Sequence, residues 1–351
     1  MSILSGPSEF FGLDIGSDSV RLVQLSKTNG PKKELVKYAY VPIDKKISKS
    51  DSKLDQQKLI QIITDLISRA RLSTKNVVLG ISSNKVFTTV TDIEKLAPDQ
   101  INKAIHYQID SLIPTPIDET KIDWKIIGDS PKDQNKSEVI LSSVSNSYVE
   151  KSLDMIESIG LNVLAIEPDY FGLCRSLIVP SSAFLNQGIL IVDLGVYSTD
   201  IAVVLNDAPR LMRTVSVGNE SLVRAVSQEL SVDENQSSQL IYKFGLSEDK
   251  AKGQIYRALS NSIELLFGEI EKSIKFFMSR YDGIKVSKII VTGWASVIPE
   301  LPLYISKRFN INVEIGNSWV NVLYNPDKQN ELMGISHQFA VAVGLAERTN
   351  D

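Results

Sequence analysis

The chain has 351 residues, 43% of them hydrophobic and 23% charged; at roughly 150 residues per domain this predicts two domains or one bilobal unit, with a core that needs neither metal nor disulfide. Lys plus Arg number 38 and Asp plus Glu 42, a net charge of −4, which argues against a dominant nucleic-acid-binding field. One cysteine, Cys174, and two widely separated histidines, His106 and His337, leave no disulfide framework and no zinc-ligand spacing, and they point to a reducing compartment. Residues Met1 to Glu9 lack the basic start and apolar run of a signal peptide, and no stretch of about 18 apolar residues predicts a spanning helix. The polar end Glu347-Arg348-Thr349-Asn350-Asp351 does not read as a membrane-inserting amphipathic helix.

In chain order, strands alternate with helices, the pattern of an α/β fold. Phe10 to Leu25 reads as two strands joined by Gly16-Ser17-Asp18-Ser19, with a third strand at Tyr38 to Ile43. Leu59, Ile62, Ile63, Leu66, Ile67 and Ala70 recur at helical spacing, and Asn76 to Ser82 reads as a buried strand. A strand at Val86 to Glu94 precedes a helix through Ile101, Ala104, Ile105 and Ile109, which Pro114 and Pro116 stop. Strands at Ile122 to Ile127 and Glu138 to Val144 flank the polar loop Ser130 to Ser137. A helix through Val149, Leu153, Ile156 and Ile159 closes at Gly160, a strand spans Val163 to Ile166, and Pro168 fits the first turn of the next helix. The second half repeats the order. Gly188 to Leu205 is a strand pair turning at Val196-Tyr197, followed by a strand at Leu211 to Val217 and a helix through Leu222, Val223, Val226 and Leu230. The longest helical face runs from Leu259 through Ile263, Leu266, Phe267, Ile270 and Ile274 to Phe277. Lys288 to Thr292 (strand), Pro299 to Phe309 (helix), Asn312 to Ile315 (strand) and a small-residue helix at Phe339 to Ala346 complete the chain.

Leu13-Asp14-Ile15-Gly16-Ser17-Asp18-Ser19-Val20-Arg21-Leu22 resembles Val192-Asp193-Leu194-Gly195-Val196-Tyr197-Ser198-Thr199-Asp200-Ile201. Each copy has an apolar strand, Asp-x-Gly, a small hydroxyl-bearing turn and a second strand, so two lobes of one topology are expected. Glycine lets backbone N–H groups approach a phosphate, hydroxyls add donors, and an aspartate at a strand end can hold Mg²⁺ through water. A plain β-hairpin also favours Asp and Gly, so one copy alone carries little. Two copies predict turns that face each other across a cleft and clamp a nucleotide.

At these residues the chain resembles the actin, heat-shock-70 and sugar-kinase superfamily, and more closely the type IV pilus assembly family PilM. Gly12 to Leu25, the segment Tyr107-Gln108-Ile109-Asp110-Ser111-Leu112-Ile113-Pro114-Thr115-Pro116-Ile117-Asp118, and Ile166-Glu167-Pro168 carry the closer match. The resemblance implies an actin-like bilobal α/β fold, with two duplicated ribonuclease-H-like lobes and a small inserted α+β subdomain. The first lobe would span 9–83 and 165–187 with 325–351 packing back, the insert 84–164, and the second lobe 188–324 with a peripheral part at 216–285. It also implies ATP and Mg²⁺ as ligands. The expected binding residues are Asp14, Gly16, Ser17, Asp18, Ser19 and Arg21 in the first phosphate motif and Asp193, Gly195, Ser198 and Thr199 in the second. Gly218 and the adenosine motif Gly293, Trp294, Ala295 and Ser296 complete the set, with Asp14 and Asp193 as the Mg²⁺ aspartates. Arg21 stands where many members have a phosphate-contacting lysine.

Three departures bear on nucleotide binding. Trp294 and Ala295 follow Gly293 where further glycines are usual, so Trp294 either stacks on the base or fills its pocket. The helix ending Leu240 to Gly245 has Ser238 and Ile241 where the family has Glu and Lys, unless a register shift brings in Lys243. Asp18 adds a carboxylate to the first turn, which needs either Mg²⁺ or an orientation away from phosphate. The implied function is a cytoplasmic scaffold that binds the N-terminal tail of a PilN-like inner-membrane protein within a membrane-associated assembly complex. It would be at most a weak ATPase, with no nucleic-acid partner and homo-oligomerisation left open. An FtsA-like filament protein and a small-molecule kinase are the alternatives.

Overall fold

The structure, a computed structural model, describes residues 9–96, 100, 112–180 and 185–349. The expected helix through Ile101 and Ile109, with His106 and the stretch Tyr107 to Ser111, lies outside these residues, as do residues 1–8 and 350–351. The strands in chain order are β1 (Phe11–Ile15), β2 (Ser19–Ser26), β3 (Lys33–Pro42), β4 (Asn76–Ile81), β5 (Val86–Glu94), β6 (Thr120–Asp129), β7 (Lys136–Ser145), β8 (Asn162–Pro168), β9 (Gly188–Leu194), β10 (Thr199–Leu205), β11 (Ala208–Val215), β12 (Val286–Gly293), β13 (Asn312–Ile315) and β14 (Val322–Leu323). The helices are α1 (Lys45–Lys49), α2 (Lys53–Ala70), α3 (Asn146–Glu157), α4 (Asp169–Leu177), α5 (Asn219–Leu230), α6 (Glu234–Phe244), α7 (Gln254–Arg280), α8 (Leu301–Phe309) and α9 (Gln329–Ala346).

Local chemistry sets most boundaries. Ser52 caps α2 by accepting from Asp55 N–H at 3.2 Å, and Asp233 caps α6 by accepting from Gln236 N–H at 2.8 Å. Gly245, with φ +50°, ends α6 in a backbone region that side chains disfavour. Three of the differences from expectation have local reasons. β3 begins at Lys33, five residues early, because it pairs with β2 as far as Ser26↔Glu34 while the exposed Glu34 and Lys37 dilute the apolar signal. α9 begins at Gln329, because its first turn is polar and only its later residues are buried throughout. Pro168 is the N-cap of α4 and stands one place before its first turn.

The described chain falls into two compact units. One contains the residues up to Ser82, Glu150–Val179 and those from Asn317 onward; the other contains Ser83–Val149 and Pro180–Gly316. The first unit has a six-stranded sheet of order β14-β3-β2-β1-β4-β8, and the second a five-stranded sheet of order β11-β10-β9-β12-β13. In each unit the first three strands are an antiparallel meander, and the fourth and fifth run parallel to the first. The sequence repeat is therefore a repeat of topology.

In the first unit Phe11, Leu13, Leu22, Ile63 and Leu79 pack between the sheet and α2. Each such fully buried side chain contributes about 1.5–3 kcal/mol by leaving water. The small residues of α9 serve close backbone packing. A Cβ at Gly344 would collide with the Gly172 carbonyl of α4, and one at Gly12 would meet the Ala342 carbonyl at 2.5 Å. In the second unit one continuous core runs from β9, β10 and β12 to α5, α7 and α8.

The second unit also holds the three-stranded antiparallel sheet β5-β7-β6, whose small core is Ile93, Ile113, Val139 and Leu141. Ile113, next to Pro114, is thus an apolar anchor as well as part of a helix stop. Glu138 on β7, only 1% exposed, ties this sheet to the larger one. It accepts from Arg210 Nη1 of β11 at 2.5 Å, from Arg280 Nε of α7 at 2.9 Å and from the Tyr281 hydroxyl at 2.5 Å. Arg280 also donates to Asp92 of β5 at 2.9 Å. Nothing in the sequence pattern separates Glu138 from a solvent-facing strand residue.

Candidate functional site

The first turn joins β1 to β2 and is closed by Gly16 N–H donating to Ser19 O at 3.0 Å. Asp14 and Arg21 are cross-strand partners in that hairpin. Arg21 Nη1 donates to Asp14 Oδ2 at 3.1 Å and Nη2 to Asp18 Oδ1 at 2.9 Å, with Asp14 only 6% and Arg21 only 9% exposed. Burial pushes the Asp14 carboxyl up, against the pull of Arg21. The guanidinium lies over Gly16, where a Cβ would meet Nη1 at 2.5 Å. The Ser19 hydroxyl donates to Asp18 Oδ1 at 2.9 Å, and the Ser17 carbonyl accepts from the Ser48 hydroxyl at 2.8 Å. The charge of Asp18 is thus balanced inside the turn, and a cation on Asp14 would have to displace Arg21.

The second turn joins β9 to β10 by the same bond, Gly195 N–H to Ser198 O at 2.9 Å. Here the cross-strand partner of Asp193 is Asp200, at the register position that Arg21 holds opposite Asp14. Burial pushes the Asp200 carboxyl up to about 6, against the Thr214 hydroxyl that donates to it at 2.6 Å. Thr199 is fully buried, and its hydroxyl donates to Val217 O at 2.6 Å. The start of α5 leans on this turn. Asn219 and Glu220 N–H donate to Gly195 and Val196 carbonyls at 2.9 and 2.8 Å. A Cβ at Gly218 would meet Val196 O at 2.5 Å and Ser198 N at 2.6 Å.

Gly293 ends β12 beside this turn, in register with Leu194, as Thr292 is with Asp193. Its φ of +59° and the Asp193 carboxylate packed against it require glycine. The Ser296 hydroxyl donates to Gly293 O at 2.7 Å, and Ala295 is fully buried in the core. Trp294 stacks on Tyr242 of α6 with centroids 5.2 Å apart and planes inclined by 21°. The Tyr242 hydroxyl accepts from Asn219 Nδ2 at 2.8 Å. Asp193, Gly195, Gly218, Asn219, Tyr242, Gly293 and Trp294 therefore form one neighbourhood inside the second unit. Sequence reasoning missed Asn219 and Tyr242. The only available signal was their place beside Gly218 and Gly245.

The residues of the second turn fit a phosphate with a hydrated cation. Asn219 Oδ1 and Thr292 Oγ1, on side chains 4% and 0% exposed, have no hydrogen-bond partner among the described residues. Buried polar atoms of this kind are costly unless something satisfies them. Among the described residues no group of three or more His, Cys, Asp or Glu is placed to hold a metal. A Mg²⁺ ion here would be held by Asp193 through water and by phosphate oxygens.

A family model described as type IV pilus assembly protein PilM matches residues 12–350. A chain of the solved "PilM-PilN type IV pilus biogenesis complex" matches with a TM-score of 0.83 at 22% identity, over 97% of this chain and 98% of that one. MreB5 of Spiroplasma citri bound to ADP matches with a TM-score of 0.57 at 12% identity, over 96% and 95%. The ethanolamine utilization protein EutJ from Carboxydothermus hydrogenoformans matches at 0.55 and 14%, over 99% and 91%. The fold is actin-like, as the resemblance implied. With the family model spanning nearly its whole length, the chain belongs to the type IV pilus assembly protein PilM family.

Proposed function

We propose that this protein is an actin-like scaffold of type IV pilus assembly. It binds the cytoplasmic N-terminal tail of a PilN-like inner-membrane protein and is held at the inner face of the membrane by that partner. The observation that carries the reading is the family match over residues 12–350, supported by overlap along 97% of the chain with a protein solved as a PilM-PilN complex. Among the described residues no helix is long and apolar enough to cross a membrane. The membrane placement therefore rests on the partner.

ATP with Mg²⁺ is the proposed conformational input. Its phosphates would use the second turn, with Asp193 as the Mg²⁺ aspartate, because Asp14 is already committed to Arg21. Nucleotide would influence the tail only through different affinities for two conformations. The test is calorimetric titration of the full chain with the tail peptide of its PilN-like protein, with and without ATP and Mg²⁺. Micromolar binding is expected. Absence of binding under both conditions overturns the scaffold reading.

A further inference from the structure

Charge is unevenly spread along this chain. The whole carries a net −4, yet the stretch from Lys27 to Leu54 has eight lysines, no arginine and three carboxylates, a net +5 that leaves −9 for the rest. All of this stretch lies in the first unit, along the β3 side of its sheet. Lys27 and Lys32 precede β3, Lys37 stands on it, Lys46 and Lys49 belong to α1, and Lys53 opens α2. These six side chains are exposed. β3 alone has ten residues, so the row is about 30 Å long. Among the lysines, Val36, Tyr40 and Leu54 are 42%, 44% and 62% exposed. Glu331 of α9, which accepts from the Tyr38 hydroxyl at this edge, is offset by Lys328 over the same ring.

An added strand does not suit this edge. β14 pairs only with Lys33 and Glu34, and beyond them a bulge at Val36 and the charge of Lys37 interrupt the run that strand addition needs. Lysines interspersed with apolar side chains suit a surface that is anionic outside and apolar beneath. The ammonium groups meet the head groups, while the lysine stems, Val36, Tyr40 and Leu54 rest at the interface. We propose that this edge of the first unit docks directly on an anionic lipid surface. The contact is peripheral and reversible, and it needs no partner. It adds a second hold on the membrane to the one the tail-bearing protein supplies, and it fixes which side of the unit faces the lipid.

The test floats the full chain, without any partner, on phosphatidylcholine vesicles with and without phosphatidylglycerol. Binding is expected only to the anionic vesicles at about 0.05 M salt, and its loss at about 0.3 M, where surface charges are screened. A lysine near the surface is worth about fivefold in partitioning, so Lys46→Glu, a change of two charges, is expected to weaken binding about twentyfold. Lys37→Glu, Lys46→Glu and Lys53→Glu together are expected to abolish it, with an unchanged melting temperature showing that the variant is folded. Should that variant not fold, Lys46→Gln decides, with an expected loss of about fivefold. No flotation on anionic vesicles at low salt overturns the proposal, as does flotation that the triple variant retains. A DNA duplex bound at the same salt, with the vesicles left unbound, overturns it in favour of nucleic acid. Each of these results leaves the scaffold reading standing, because that reading falls only with the tail peptide.

Discussion

The turn of the first unit and the turn of the second share one backbone bond, Gly16 N–H to Ser19 O and Gly195 N–H to Ser198 O, on hairpins paired in the same sense. Their aspartates nevertheless meet different neighbours. Asp14 faces Arg21 across the hairpin, and the carboxylate is neutralised by an internal ion pair. Asp193 faces Asp200 at the same register position, and burial raises Asp200 instead. One residue seven places after the aspartate separates a turn closed by an ion pair from one that sets two carboxylates at the same register. A shared motif can fix the path of the chain, while the cross-strand partner fixes the chemistry.

Four changes break or sharpen this comparison. The largest effect is expected from Arg21→Met, which leaves Asp14 buried without its counter-ion and should cost about 3–5 kcal/mol of stability, read by urea denaturation. A loss below about 1 kcal/mol would mean that the pair does not hold the first turn together. Gly218→Ala should cost about 2–3 kcal/mol, because its Cβ meets backbone that cannot swing away. Gly16→Ala serves as the milder control, since the nearest atom there is the end of the Arg21 side chain.

Asp200→Arg copies the first turn onto the second. It is expected to weaken ATP with Mg²⁺ by about tenfold in a titration while the tail peptide binds unchanged. Unaltered nucleotide affinity would show that the cross-strand position does not set the chemistry. Asp200→Asn sharpens the comparison through its pH dependence. The folded carboxyl is raised from 3.8 to about 6, so the stability it contributes is present below pH 3.8 and lost as the pH rises through 6. The asparagine variant should match the wild type near pH 4 and exceed it by up to about 3 kcal/mol at pH 7–8, seen as a pH-dependent difference in melting temperature. A constant offset between the two would refute the raised value.

The alternation of strands and helices, the two Asp-x-Gly hairpins and the family were all legible, because each is carried by residues near one another in sequence. β5 at Val86 to Glu94 and β13 at Asn312 to Ile315 have the expected bounds, since their apolar alternation begins and ends at polar punctuation. β14 was not visible. Two residues, Val322 and Leu323, have no period, and only pairing with β3 makes them a strand.

Sequence alone determined the repeated topology and the glycine turns, because hydrophobic period and turn chemistry act over a few residues. It gave no sign that Glu138 is buried between Arg210 and Arg280, nor of what Trp294 packs against. Tertiary structure decided those points, together with the pairing of Arg21 to Asp14 and Asp18 and the stack of Trp294 on Tyr242. The physical reason is one of range. An ion pair or a ring stack depends on where strand register and packing bring two side chains, and that distance is set by the fold as a whole.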